Sequence, residues 1–181
     1  MQKYIALLRG INVGGKNTVS MPDLKKLLEK NGFGNVITYI NSGNIIFSAD
    51  DSDEVKLKEK CEVLIADKFR LKVPAAVISA DDLSAALDHA PPWWNKEKDA
   101  KHNAIFVIPP ATADEIFQAV GEIKPEYEKA AYYGSVIFWS APLKTFSRTR
   151  WSKVVGSSAY NSITIRNANT AKKLLQLAFD K

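Results

Sequence analysis

The chain has 181 residues, 46% of them hydrophobic and 25% charged, with a net charge of +5; it is long enough to bury a core and too apolar to stay disordered. One cysteine excludes an internal disulfide and a cysteine-rich metal site, and two histidines leave no histidine-rich one. No apolar run approaches the ~20 residues that span a bilayer, and Arg9 interrupts the N-terminal apolar stretch too early for a signal peptide, so a cytoplasmic protein with no cofactor and no metal is expected.

Tyr4 to Arg9 is a short Ile/Leu-rich run and reads as a strand. A Gly/Asn loop follows, and Ser20 caps a helix whose buried stripe is Leu24, Leu27 and Leu28 and whose stop is Asn31-Gly32. Val36 to Ile40 and Ile45 to Phe47 read as strands joined by the turn Asn41-Ser42-Gly43-Asn44. Asp53 to Arg70 is a helix with Leu57, Cys61, Leu64, Ile65 and Phe69 on one face, and Val73 to Ser79 is a strand followed by a helix from Asp81 to His89. The order is β-α-β-β-α-β, a ferredoxin-like unit. Ala90 to Lys101, with Pro91-Pro92-Trp93-Trp94-Asn95, is irregular and reads as a linker. The order then restarts: a strand at Ala104–Ile108, a helix capped by Thr112, a hairpin of Tyr127–Tyr133 and Val136–Ser140, a short helix at Arg150–Val155, a strand at Ile163–Arg166 and a final helix at Ala168–Phe179.

Gly43-Asn44-Ile45-Ile46-Phe47 matches Gly134-Ser135-Val136-Ile137-Phe138, so the halves read as a duplication. The expected fold is α+β: one ferredoxin-like unit over residues 1–79, a connecting helix and Pro/Trp linker over 80–101, and a second unit over 102–181 with an added C-terminal helix. Each half alone buries little apolar surface, so the two are expected to pack as one compact protein.

Charge is uneven. Met1–Glu128 carries 16 basic and 19 acidic residues, whereas Lys129–Lys181 carries nine basic and one acidic. This fits an anionic partner near the C-terminal part, and fits a solvated basic face equally well.

Three polar clusters are candidate sites. Arg9-Gly10-Ile11-Asn12-Val13-Gly14-Gly15-Lys16-Asn17 fits G-x-x-x-x-G-K, but Asn17 stands where a metal-binding Ser or Thr belongs, and Ser20 starts the helix too late to lay its N-terminus on a phosphate. It is either a loop needing glycine's dihedrals, an anion site, or, least consistent with the spacing, a nucleotide-hydrolysing loop. Arg148, Arg150 and Lys153 lie among hydroxyls with Phe146 and Trp151, a pattern for phosphate and a stacked base, or for a basic helix start with core aromatics. Arg166 and Asn169 sit at a strand-to-helix junction, where Asn167 or Asn169 suits a cap. Cys61 reads as a core thiol; His89 and His102 show no catalytic partner; Trp93 and Trp94 suit a seam between the halves or an exposed contact patch. The basic-aromatic strand signature of RNA-recognition domains is missing.

Leu8–Lys16, Tyr39–Phe47, Ser147-Arg148-Thr149-Arg150 and Thr164–Thr170 together resemble the bacterial family catalogued as domain of unknown function 1697, across nearly the whole chain; Asn41 departs mildly from the family's Gln. The resemblance implies a two-part α+β fold and no particular activity, and it marks the three polar clusters as signature positions. Arg9, Asn12, Gly14, Gly15, Lys16, Ser42, Asn44, Arg148, Arg150, Arg166 and Asn169 are therefore expected to bind ligand, most of them in one positive cleft. The expected function is a binding module for a phosphate-bearing ligand, nucleic acid or nucleotide-like. The alternatives are an enzyme acting on a small anion through the Gly10–Asn17 loop, and a protein-interaction module using Trp93 and Trp94. The oligomeric state is left open.

Overall fold

The structure is a computed structural model that describes residues 1–180. Two compact units emerge: Met1–Leu83 together with the chain end from Lys173, and Ser84–Lys172. Unit 1 contains β1 (Gln2–Leu8), α1 (Met21–Lys30), β2 (Gly34–Tyr39), β3 (Asn44–Ala49), α2 (Glu54–Phe69) and β4 (Ala75–Ser79). The division falls inside α3 (Ala80–Asp88) and again inside α5 (Ala168–Phe179). Unit 2 contains β5 (Ala100–Val107), α4 (Ala113–Val120), β6 (Lys129–Tyr133), β7 (Val136–Pro142) and β8 (Ile163–Asn167).

The sheets repeat one topology. Sheet order is β2-β3-β1-β4 in unit 1 and β6-β7-β5-β8 in unit 2, with every pair antiparallel. Both are ferredoxin-like, and the matched hairpins β2–β3 and β6–β7 hold equivalent places. One face of the first sheet, Tyr4, Ala6 and Leu8 with Ile45 and Phe47, packs on Leu24 and Leu28 of α1 and on Leu57, Cys61 and Ile65 of α2. Each fully buried leucine there contributes ~1.5–3 kcal/mol of transfer free energy. The corresponding face of the second sheet, Ile105, Val107, Ile137, Trp139 and Ile163, packs on Ile116, Trp151 and Val154. The opposite faces, with Ile5, Leu7, Ile78, Phe106 and Phe138, are also buried. Burial on both faces is why the central strands read as unbroken apolar runs rather than as alternation.

The caps follow local chemistry. Ser20 accepts from the Asp23 N–H, Asp53 from those of Val55 and Lys56, and Thr112 forms a reciprocal capping box with Glu115. Three expectations change. The strand expected from Val73 begins at Ala75, because Pro74 has no N–H to pair and the Glu62 carboxylate takes the Ala75 N–H at 2.9 Å. The short helix expected at Arg150–Val155 is instead the middle of three 3-10 segments, Leu143–Arg148, Trp151–Gly156 and Ser158–Ser162. Ser152 and Ser157 hydroxyls donate to carbonyls three residues back, at 3.2 and 2.7 Å, which favours tight turns over a regular α-helix. The Pro/Trp stretch is folded into unit 2, where Trp94 is buried, donates to the Asn103 carbonyl at 2.9 Å and meets Phe138 edge-on. Among the described residues no helix is long and apolar enough to cross a membrane.

Candidate functional site

In unit 1 the Gly10–Asn17 loop is a miniature hairpin. Val13 and Lys16 form a bridge, the Lys16 N–H donates to the Val13 carbonyl at 3.0 Å, and Gly14-Gly15 make the turn with φ of 57° and 73°. Positive φ at both central residues is the geometry glycine relieves. A Cβ at Gly14 or Gly15 would meet nothing within 4 Å, so the dihedral alone demands glycine. The Asn12 side chain locks the base of the loop: its Nδ2 donates to the Val19 and Asn41 carbonyls at 3.0 and 2.8 Å, and its Oδ1 accepts from the Val19 N–H at 2.8 Å. Asn17 Nδ2 donates to the Gly10 carbonyl at 3.0 Å.

The β2–β3 turn is drawn to the same place. The Leu8 N–H donates to the Gly43 carbonyl at 2.8 Å, and the fully buried Asn44 donates to Ser42 Oγ and to the Tyr39 carbonyl. Unit 1 thus brings Asn12, Gly14, Gly15, Lys16, Ser42 and Asn44 to the loop end of β1, next to Arg9. The amides of Asn12 and Lys16 are spent inside the loop, so they do not form a phosphate nest. Helix α1 starts at Met21, four residues beyond Asn17, and the first-turn N–H of Asp23 is taken by Ser20 Oγ.

In unit 2 the organising group is one that sequence reasoning missed. Glu128 is 2% exposed. Its Oε1 accepts from the Lys124 and Arg150 N–H groups at 3.1 and 2.7 Å, and its Oε2 from Trp139 Nε1 and the Trp151 N–H, both at 3.1 Å. Four donors on one carboxylate pin the start of the basic segment to β7. The basic side chains then point elsewhere. Arg150 Nε donates to the Glu122 carbonyl at 3.1 Å, and the Arg148 guanidinium lies 5.7 Å over the Tyr127 ring. Arg166 is buried, with Nη1 donating to Thr164 Oγ1 and the Ile165 carbonyl at 3.0 and 2.9 Å. Desolvation pushes its guanidinium down to about 10, still charged at neutral pH.

A cleft of about 710 Å³ in unit 2 is lined by the first residues of β5 and the end of β8. Its cationic wall is Lys96, Lys98 and Lys101, with Glu97 the one acid; Asn103, Asn167 and Asn169 supply amides, and Trp139, Phe146 and Trp151 the apolar floor. The Asn167 side chain caps α5 by accepting from the Thr170 N–H at 2.8 Å, so the helix starts at the cleft. Of the residues expected to bind ligand, Asn169 lines this cleft, whereas Arg148, Arg150 and Arg166 do not.

His102 sits between this cleft and a second one of about 180 Å³. It has the hydroxyl partner the sequence did not reveal: Ser140, its cross-strand neighbour, places Oγ 2.6 Å from Nδ1. The Asn95 N–H donates to the same Nδ1 at 3.0 Å, and Nε2 lies 2.8 Å from the Glu97 carbonyl. The Asn95 N–H and the Ser140 hydroxyl share the one Nδ1 lone pair, which weakens the ring as a base for the serine, so this is a clamp rather than a nucleophile–base pair. Cys61 is buried and its thiol is pushed up to about 12 by desolvation, which makes it inert. No cluster of three or more His, Cys, Asp or Glu among the described residues could hold a metal ion.

Fold and cleft together define a duplicated ferredoxin-like α+β protein with a lysine-walled cleft in its second unit. The chain belongs to the family described as Protein of unknown function (DUF1697), whose profile matches residues 1–138. A solved structure, that of a conserved bacterial protein from Streptococcus pneumoniae, is similar at 34% identity over 98% of each chain, with a TM-score of 0.86. No curated protein matches.

Proposed function

We propose that the protein is a binding module for a small phosphate-bearing molecule, held in the cleft of unit 2. The observation that carries this is the lining: three lysines oppose one carboxylate, with asparagine amides and the start of α5 beside them. A volume of about 710 Å³ suits a small ligand. Two facts favour this over a nucleic-acid strand. Trp139 and Trp151 are buried to 3% and 0% exposure, and Lys101 Nζ covers the Phe146 ring at 4.2 Å, so the floor has little aromatic face open for base stacking. An enzyme using the Gly10–Asn17 loop is less well supported, since the Asn12 and Lys16 amides are spent inside the loop; an interaction patch on Trp93 and Trp94 loses the buried Trp94.

The test is thermal stabilisation followed by calorimetry against inorganic phosphate, nucleotides, sugar phosphates and oligonucleotides. One class of small phosphate ester should raise Tm, and Lys98→Ala with Lys101→Ala should abolish the shift. No stabilisation by any phosphate compound, or binding that survives the double substitution, overturns the reading. Preference for oligonucleotides with steep salt dependence replaces it with nucleic-acid binding.

A further inference from the structure

The imidazole of His102 is held by three partners whose chemistry fixes its proton. The Glu97 carbonyl can only accept, so Nε2 carries the hydrogen; the Asn95 N–H can only donate, so Nδ1 is bare. Ser140 Oγ, 2.6 Å from Nδ1, can give or take. The clamped segment, Asn95 to Lys98, is the wall of the larger cleft that carries Lys96 and Lys98. Asn95 is held there with φ of 59°, a left-handed conformation that asparagine tolerates but does not need.

We propose that His102 is a proton-operated latch on this wall. A proton added to Nδ1 removes the only lone pair available to the Asn95 N–H and turns the contact into two opposed N–H groups. The new Nδ1–H donates to Ser140 Oγ, whose hydroxyl hydrogen rotates away. The Nε2–H bond to the Glu97 carbonyl survives. Protonation therefore breaks the Asn95 bond, reverses the direction of the Ser140 bond and frees the start of the wall, leaving its middle anchored. The charged groups around the ring are Lys96, Lys98 and Lys101 from the larger cleft, and Glu97, Glu126 and Lys129 around the smaller; the Glu128 carboxylate is saturated by its four donors.

The consequence for a ligand rests on the cleft being the binding site. The latch itself is tested without one, so the two can fail separately. Nitrogen-15 NMR of the full chain follows the His102 ring nitrogens and the exchange protection of the Asn95 amide, corrected for intrinsic exchange, from about pH 8 to pH 5. Protection should fall about five- to tenfold, the loss of one hydrogen bond, with the midpoint of the ring titration. In His102→Asn the Oδ1 can take the place of Nδ1 and cannot titrate, so protection should stay flat. Ser140→Ala removes a partner of both the neutral and the charged ring, so the ring titration should move and the opening of the Asn95 amide should move with it by the same amount. Protection that is unchanged while the ring protonates, a ring that stays neutral to about pH 5, or an equal loss in His102→Asn overturns the latch.

Discussion

Glu128→Gln is the sharpest probe of unit 2, because it keeps the side-chain shape and removes charge and one acceptor. Glu128 accepts four N–H bonds, two on each carboxylate oxygen, at 2.7 to 3.1 Å and with 2% exposure. A glutamine carbonyl can keep one pair of donors, whereas its NH2 must face the other pair. Two accepted bonds are lost, and buried donors are left opposed to donors. Hydrogen bonds to a charged group contribute about 1.5–3 kcal/mol each. Relief of the buried charge offsets part of this, so the expected loss is about 3 kcal/mol, or ~10–20 °C in Tm for a unit of this size. All four tryptophans, Trp93, Trp94, Trp139 and Trp151, lie in Ser84–Lys172, so urea unfolding followed by tryptophan fluorescence reports this unit. A Glu128→Gln midpoint within about 0.5 kcal/mol of wild type, the scatter of neutral surface changes, would refute the claim that this carboxylate holds the Arg150–Trp151 segment to β7.

Gly43→Ala should be far more damaging than Gly14→Ala. At Gly43 φ is 81° and a Cβ would lie 2.7 Å from Leu8 Cβ and 2.9 Å from Ile11 Cδ1, whereas at Gly14 it meets open space. Chemical denaturation should show about 3 kcal/mol or more lost at Gly43, from strain plus overpacking, against about 1 kcal/mol at Gly14 from strain alone. Cys61 should resist a thiol reagent in the native protein and react at once in denaturant. Its thiol is raised from 9.0 to about 12 in the fold, so the folded state holds the proton more tightly than the unfolded one. Its contribution to stability is complete below about pH 9 and is lost as pH rises toward about 12. Cys61→Ala should flatten that alkaline decline, and an unchanged slope in denaturation across that range would remove this residue as its source.

What could be read along the chain is what short stretches decide. Ser20 and Thr112 cap their helices in the structure because a cap involves one side chain and the next three residues. The apolar runs of β1, β3, β5 and β7 and the turns at Gly43 and Gly134 fix strands and hairpins by local dihedral and burial preference, and repetition of that order gives two ferredoxin-like sheets. Tertiary structure decided the rest, since the partners are far apart in sequence. Asn12 reads as a ligand donor until its amide is found on the Asn41 carbonyl, 29 residues away. Arg148, Arg150 and Arg166 look like a phosphate cluster, yet the chain turns them toward Tyr127, Glu122 and Thr164. The lysines that form a cationic wall, Lys96, Lys98 and Lys101, lie in the acid-rich part of the chain and look like a solvated linker. Glu128 and Ser140 show nothing in sequence. Their roles arise from a buried carboxylate that must be saturated by distant N–H donors and from a strand register that places a hydroxyl opposite His102.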